Sequence, residues 1–132
     1  MLFHFYRFGE TLKNSPARRN RFIILALIIS GLINIALWLF LFFELKFIVA
    51  QNPEYATIPL HYNVFFGIDQ FGKWYKAFTL PATGTIIILV NSIISFMVYS
   101  KKALISYFFS AASLLSQILL AIGGLLIVLL NL

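Results

Sequence analysis

Residues 22–43 read FIILALIISGLINIALWLFLFF, 22 consecutive positions without a charge. A helix needs about 20 apolar residues to cross the hydrocarbon of a bilayer. Lipid offers the backbone no hydrogen-bond partner, so a crossing segment must be helical. Two more such runs follow. Residues 77–100 read AFTLPATGTIIILVNSIISFMVYS, 24 positions, and residues 103–130 read ALISYFFSAASLLSQILLAIGGLLIVLL, 28 positions. The third is longer than a span requires, so it tilts or begins at the interface near Tyr107. Together the runs hold 74 of the 132 residues.

They predict an all-α integral membrane protein forming one membrane domain. Its parts are a basic N-terminus (1–21), a first transmembrane helix (22–43) and a structured outer loop (44–76). A second helix (77–100), an inner turn (101–102) and a third helix (103–130) complete it. Composition agrees. Charged residues make up 11% of the chain against about 25% in soluble domains. Apolar residues make up 61%, more than a soluble fold of this size hides. A soluble enzyme and a disordered tail are excluded, and with no cysteine so is a disulfide scaffold.

The net charge of +6 is sorted along the chain. Arg7, Lys13, Arg18, Arg19 and Arg21 precede the first run against a single acid, Glu10, and Lys101 and Lys102 join the second run to the third. The 44–76 loop sums to zero, with Lys46, Lys73 and Lys76 against Glu44, Glu54 and Asp69. This is the positive-inside pattern. It puts the N-terminus and the 101–102 turn in the cytoplasm, with the long loop and the C-terminus outside. Arg18, Arg19, Arg21, Lys101 and Lys102 then anchor the chain on anionic headgroups, and nucleic acid is not an expected partner. The first run is too long for a signal-peptide core of roughly 7–15 residues, so it reads as an uncleaved anchor. Leu2, Phe3, His4, Phe5, Tyr6 and Phe8 read as an inner interfacial segment, broken from the span by Pro16.

No ionisable side chain lies in the three runs, which counts against a self-sufficient pump or proton-coupled carrier. Small and amide residues line up instead. Ser106, Ser110, Ser113, Gln117, Ala121 and Gly124 share one helical face, as do Gly84, Asn91 and Ser95, and Ala26, Ser30 and Asn34. Helix packing explains such stripes better than a polar pathway, because small residues admit close approach and amides bond across helices. Asn34, Asn91 and Gln117 are expected to meet in one buried cluster.

The loop carries the remaining information. Ile58, Leu60, Tyr62 and Val64 alternate with Pro59, His61 and Asn63, which predicts a short extended segment with Pro59 at an edge. Gly67 suits a turn. Ile68, Phe71, Trp74/Tyr75 and Phe78 then recur at helical spacing, which predicts an amphipathic turn on the outer leaflet. Trp74 and Tyr75 would form its aromatic belt. Thr79 is the expected cap of the second span, with Pro81 in its first turn.

Pro59-Leu-His61-Tyr62-Asn63, then Gly67, Asp69, Gly72 and Lys73 ahead of Leu80-Pro81, resembles a bacterial domain of unknown function. That domain carries Pro-x-His-aromatic-Asn, then Gly, then Asp, between its first two membrane helices. It also opens the Sdp-type immunity membrane proteins, which protect a bacterium from its own peptide toxin. The wording is similar to that of small uncharacterised three-helix membrane proteins of candidate-phylum bacteria. The resemblance covers residues 51–82 by motif and 22–130 by layout. It departs at Gly67, six residues after His61 where the pattern has five, and in lacking the immunity proteins' further helices. It implies a bacterial plasma-membrane protein whose loop meets a membrane protein or membrane-active peptide. No enzymatic activity is implied.

His61 and Asp69, with Glu54 as a third donor, are the candidate metal ligands, but a structural zinc site normally wants four. Hydrolytic catalysis needs a nucleophile beside the base, and the loop has no serine. A structural role is preferred: His61 and Asn63 bonding loop backbone, and Asp69 capping the next helical turn. No cofactor and no metal are expected. The leading function is a non-enzymatic partner-binding role, with a subunit of an oligomeric transporter or channel as the alternative. The oligomeric state stays open.

Because the chain lacks cysteine, single cysteines report its topology cleanly. Gln51→Cys and Asn131→Cys should react with a membrane-impermeant maleimide added outside intact cells. Lys101→Cys should react only after permeabilisation, and labelling of it from outside would overturn the orientation.

Overall fold

A computed structural model describes residues 9–10, 12–51 and 57–132. A 3-10 turn, Pro16–Arg19, leads into helix α1 (Arg21–Gln51). Strands β1 (Ile58–Asn63) and β2 (Gly67–Gly72) follow, then a second 3-10 turn, Trp74–Phe78. Helices α2 (Thr79–Val98) and α3 (Ala103–Leu129) complete the chain. Among the described residues three helices are long and apolar enough to cross a membrane. The fold is mostly helical but not all-α, because β1 and β2 pair antiparallel as a hairpin.

The helices are packed inside out. Ser30, Asn34, Ser95, Ser106, Ser110, Ser113 and Gln117 are buried, while Leu32, Phe43, Ile86, Leu104 and Phe108 stand exposed. This is the distribution that a lipid solvent favours, where apolar side chains lose nothing by facing outward.

At mid-bundle the amides bond to one another and to α2. Asn34 Nδ2 donates to the Gln117 Oε1 (3.0 Å) and to the Pro81 carbonyl (2.9 Å). Gln117 Nε2 donates to the Gly84 carbonyl (3.0 Å), and the Thr85 hydroxyl donates to Asn34 Oδ1 (2.9 Å). Gly84 is required here, since a Cβ would lie 2.5 Å from Asn34 Nδ2 and 2.6 Å from Gln117 Oε1. Asn91 does not join this cluster, contrary to expectation. It is half-buried and makes none of these bonds. It shares a face with Gly84 but lies seven residues on, about 10 Å along the axis. The first turns of α2 supply Pro81, Gly84 and Thr85 in its place.

Toward the N-terminal end of α1, serines join α2 to α3. Ser95 Oγ donates to the Ser106 carbonyl (3.2 Å), and Ser106 Oγ donates back to the Ser95 carbonyl (2.5 Å). Asn20 closes that end. Its Oδ1 accepts from the Ile23 N–H (3.2 Å), capping α1. Its Nδ2 donates to the Tyr107 hydroxyl (2.7 Å) and the Tyr99 hydroxyl (3.1 Å). Arg18, Arg19, Arg21, Lys101 and Lys102 are all exposed at this end.

The opposite end holds the apolar core: Leu37, Leu41, Leu45, Ile48, Ile58, Ala77, Ile127 and Val128. The charges at Glu44 and Lys46 end the apolar run but not the helix. α1 continues about two turns past Phe43 to Gln51, so residues 44–51 belong to the helix rather than to a loop. Leu41, Leu45 and Ile48 recur at four and three residues and make a seam that receives Ile58 and Ala77. Gly124 lets α1 approach α3, since a Cβ there would meet Leu37 Cδ1 at 2.5 Å.

Gln117→Leu keeps the side-chain bulk but removes the bond to the Gly84 carbonyl and leaves one Asn34 donor unpaired. It should cost about 0.5–2 kcal/mol, and Gly84→Ala should cost more because it adds a clash. Unfolding of the purified protein by dodecyl sulfate in bicelles measures both. Wild-type stability in both variants would contradict the cluster.

Candidate functional site

The hairpin seats on the ends of α1 and α3. Ile58 enters the core, and Asn131 Nδ2 donates to the Pro59 carbonyl (2.9 Å) and to the Ile127 carbonyl (2.7 Å). Pro59 lies on β1, where a two-stranded sheet leaves every strand an edge and a missing N–H is tolerated. Tyr62 and Asn63 follow on the same strand. Asn63 Oδ1 accepts from the Phe65 N–H (2.8 Å), an Asx turn that starts the chain's reversal. Gly67 completes it at φ +75°, a conformation that L side chains rarely adopt.

The return strand corrects the helical expectation for residues 68–78. β2 runs from Gly67 to Gly72, and helical structure is confined to Trp74–Phe78. Ile68 and Phe71 fit a three-residue period, but the positive-φ Gly67 and the cross-strand partners of β1 fix extended backbone. Ladder irregularities flank His61, between Pro59 and His61 and between His61 and Tyr62. Gly72 is buried under Leu60, whose Cδ1 would lie 2.5 Å from an added Cβ. Trp74 packs on the core and stands edge-on to Phe78 (5.8 Å), which stacks on Trp38 (5.4 Å). Tyr75 is exposed, with the Lys73 ammonium 6.0 Å from its ring centre. Thr79 does not cap α2, since its hydroxyl donates to the Lys76 carbonyl (2.8 Å). Pro81 stands in the first turn, where no N–H is needed.

Asp69 does not cap a helical turn either. It faces His61 across the hairpin, Nδ1 to Oδ1 at 2.6 Å, and His61 bonds this carboxylate instead of loop backbone. The side chains are 59% and 38% exposed, so water screens the pair and it adds little stability. The contact engages Nδ1 of the imidazole. A base oriented by a carboxylate is part of a hydrolytic site, but no hydroxyl bonds this ring among the described residues. Glu54, the expected third metal donor, lies outside the described residues, as does the segment from Leu2 to Phe8. Among the described residues no group of three His, Cys, Asp or Glu side chains converges.

Beside this pair a cleft of about 500 Å³ opens between the hairpin and the bundle. Leu80, Gly123, Leu126 and Ile127 form its floor, and His61 and Tyr62 its wall. An adjoining hollow brings Gln70 and Lys76 to the same His61 edge. The cleft is apolar below and polar along its rim. At the hairpin tip Val64, Phe65 and Phe66 are 83%, 89% and 84% exposed. Sequence reasoning found the hairpin motif but not this cleft, because Gly123 and Leu126 read only as span residues. It also missed Asn131, whose one signal is an amide directly after the last apolar run. No family model, curated protein or solved structure matches the chain.

Proposed function

We propose that the chain is a non-enzymatic, multi-pass protein of a bacterial plasma membrane that binds a membrane-active peptide through its outer hairpin. The N-terminus and the 99–102 turn face the cytoplasm, and the hairpin and C-terminus lie outside. The observation that carries this reading is the amphipathic cleft under the hairpin. Its floor suits the apolar face of a peptide lying at the outer interface. Its edge at His61, held by Asp69, suits that peptide's polar face together with Gln70 and Lys76 of the adjoining hollow. The exposed tip, Val64–Phe66, adds apolar surface beside it, and exposed patches of this kind mark interaction sites. Protection against a peptide toxin is the concrete form of this function, and it comes from the resemblance of the Pro59–Gly72 motif alone.

The channel-subunit alternative draws less support. The polar faces that would line an oligomeric pore bond to one another within a single chain.

Expression in sensitive bacteria should raise the lethal dose of a membrane-active peptide toxin from a tested panel. His61→Ala, Asp69→Ala and the cleft-filling Leu126→Trp should each lose at least about tenfold of that protection while still inserting. Undiminished protection in all three variants would reject the hairpin as the binding element.

A further inference from the structure

A second amphipathic cleft lies at the basic end, remote from the hairpin. Its volume is about 470 Å³. Lys13 and Arg18 stand at its mouth, and Ile24 of α1 faces Leu89, Ile93 and Phe96 of α2 along its walls. Its polarity is graded. Both cations belong to the segment before α1. The apolar walls climb α2 from Phe96 to Leu89, seven residues or about 10 Å toward the bundle centre. The mouth is held in place. Ser15 Oγ donates to the Phe96 carbonyl (2.6 Å), which ties the Pro16–Arg19 turn to α2, and Ala17 of that turn is fully buried. The Arg18 guanidinium donates to the Lys13 carbonyl (3.3 Å), which keeps both cations on one rim. Glu10, the one acid at this end among the described residues, does not line the cleft.

Two cations beside an open, largely apolar groove, in which Ser92 is the one uncharged polar residue, match one ligand chemistry: a phosphate carried on a hydrocarbon chain. We propose that this cleft is a binding site for one anionic phospholipid of the cytoplasmic leaflet, its phosphate between Lys13 and Arg18 and an acyl chain along Ile24, Ile93 and Leu89. A zwitterionic lipid presents its own cation beside its phosphate and is disfavoured there. The site differs from a general basic surface in depending on the two cations that line the cleft, out of six described at this end, and on the slot beside them. It rests on the membrane-spanning reading but not on peptide binding at the hairpin.

The test is native mass spectrometry of the full chain, loaded with equimolar phosphatidylglycerol and phosphatidylcholine in detergent. One phosphatidylglycerol should be retained in preference to phosphatidylcholine, and excess inorganic phosphate should not displace it. Lys13→Gln with Arg18→Gln should lower its retention about thirtyfold. Ile93→Trp, which fills the slot, should do the same. Lys101→Gln with Lys102→Gln, equally basic but off the cleft, should retain it. Equal retention of the two lipids would overturn the site, as would equal losses in both charge-removed pairs. Carbonate extraction of the wild-type chain reports separately on membrane integration, so failure of that reading stays distinguishable.

Discussion

The bond between Asn34 and Gln117 is the constraint around which the three helices are arranged. A side-chain amide in hydrocarbon has no water to turn to, so its donors and acceptors must be met by protein. Asn34 spends one donor on Gln117 and the other on the Pro81 carbonyl, and Gln117 reaches the Gly84 carbonyl. Those bonds fix the depth of α2 against α1 and α3. They also require Gly84, because the backbone of α2 comes close enough that no side chain fits. The serine contacts of Ser95, Ser106 and Ser110 continue the same logic toward the basic end. Association without a hydrophobic driving force relies on such close packing and on hydrogen bonds between helices.

The hairpin end obeys the other rule. There α1 outlasts its apolar run, and Leu41, Leu45 and Ile48 gather Ile58, Ala77, Ile127 and Val128 into a conventional apolar core. That core gives the hairpin a seat. The Asn131 amide fastens β1 to the end of α3, and the cleft lies between that strand and Leu80 and Leu126. One chain therefore carries two kinds of interior, polar where apolar side chains face outward and apolar beneath the hairpin.

Much of this was legible in the sequence. Charge-free runs located the three helices, since charge is what lipid excludes. The serine and glutamine stripe of α3 emerged from spacing alone, and every member of it but Ala121 is buried. Other features were not legible, for physical reasons. Glu44 and Lys46 mark the limit of the apolar run, yet they are compatible with helix, so the extension to Gln51 stayed hidden. Asn91 shares a helical face with Gly84, but the depth of α2 is set by what Asn34 can reach. β2 was concealed because Ile68, Phe71 and Trp74 mimic a helical period. Only pairing with β1 decides between the two, and pairing is a long-range property. At the hairpin the sequence marked His61 and Asp69 as neighbours in a motif. It could not show that they bond to each other rather than to backbone.

The central claim is that the bundle turns its amide and serine face inward and its large apolar face to lipid. A nitroxide scan of α3 in bilayers tests it most directly, reading collision with dissolved oxygen at each position. Oxygen accessibility should oscillate with a period near 3.6 residues. Maxima should fall at Leu104, Phe108, Leu115, Leu119 and Leu126, and minima at Ser106, Ser110, Ser113, Gln117 and Gly124. A flat profile, or one with maxima on the serine face, would contradict the account.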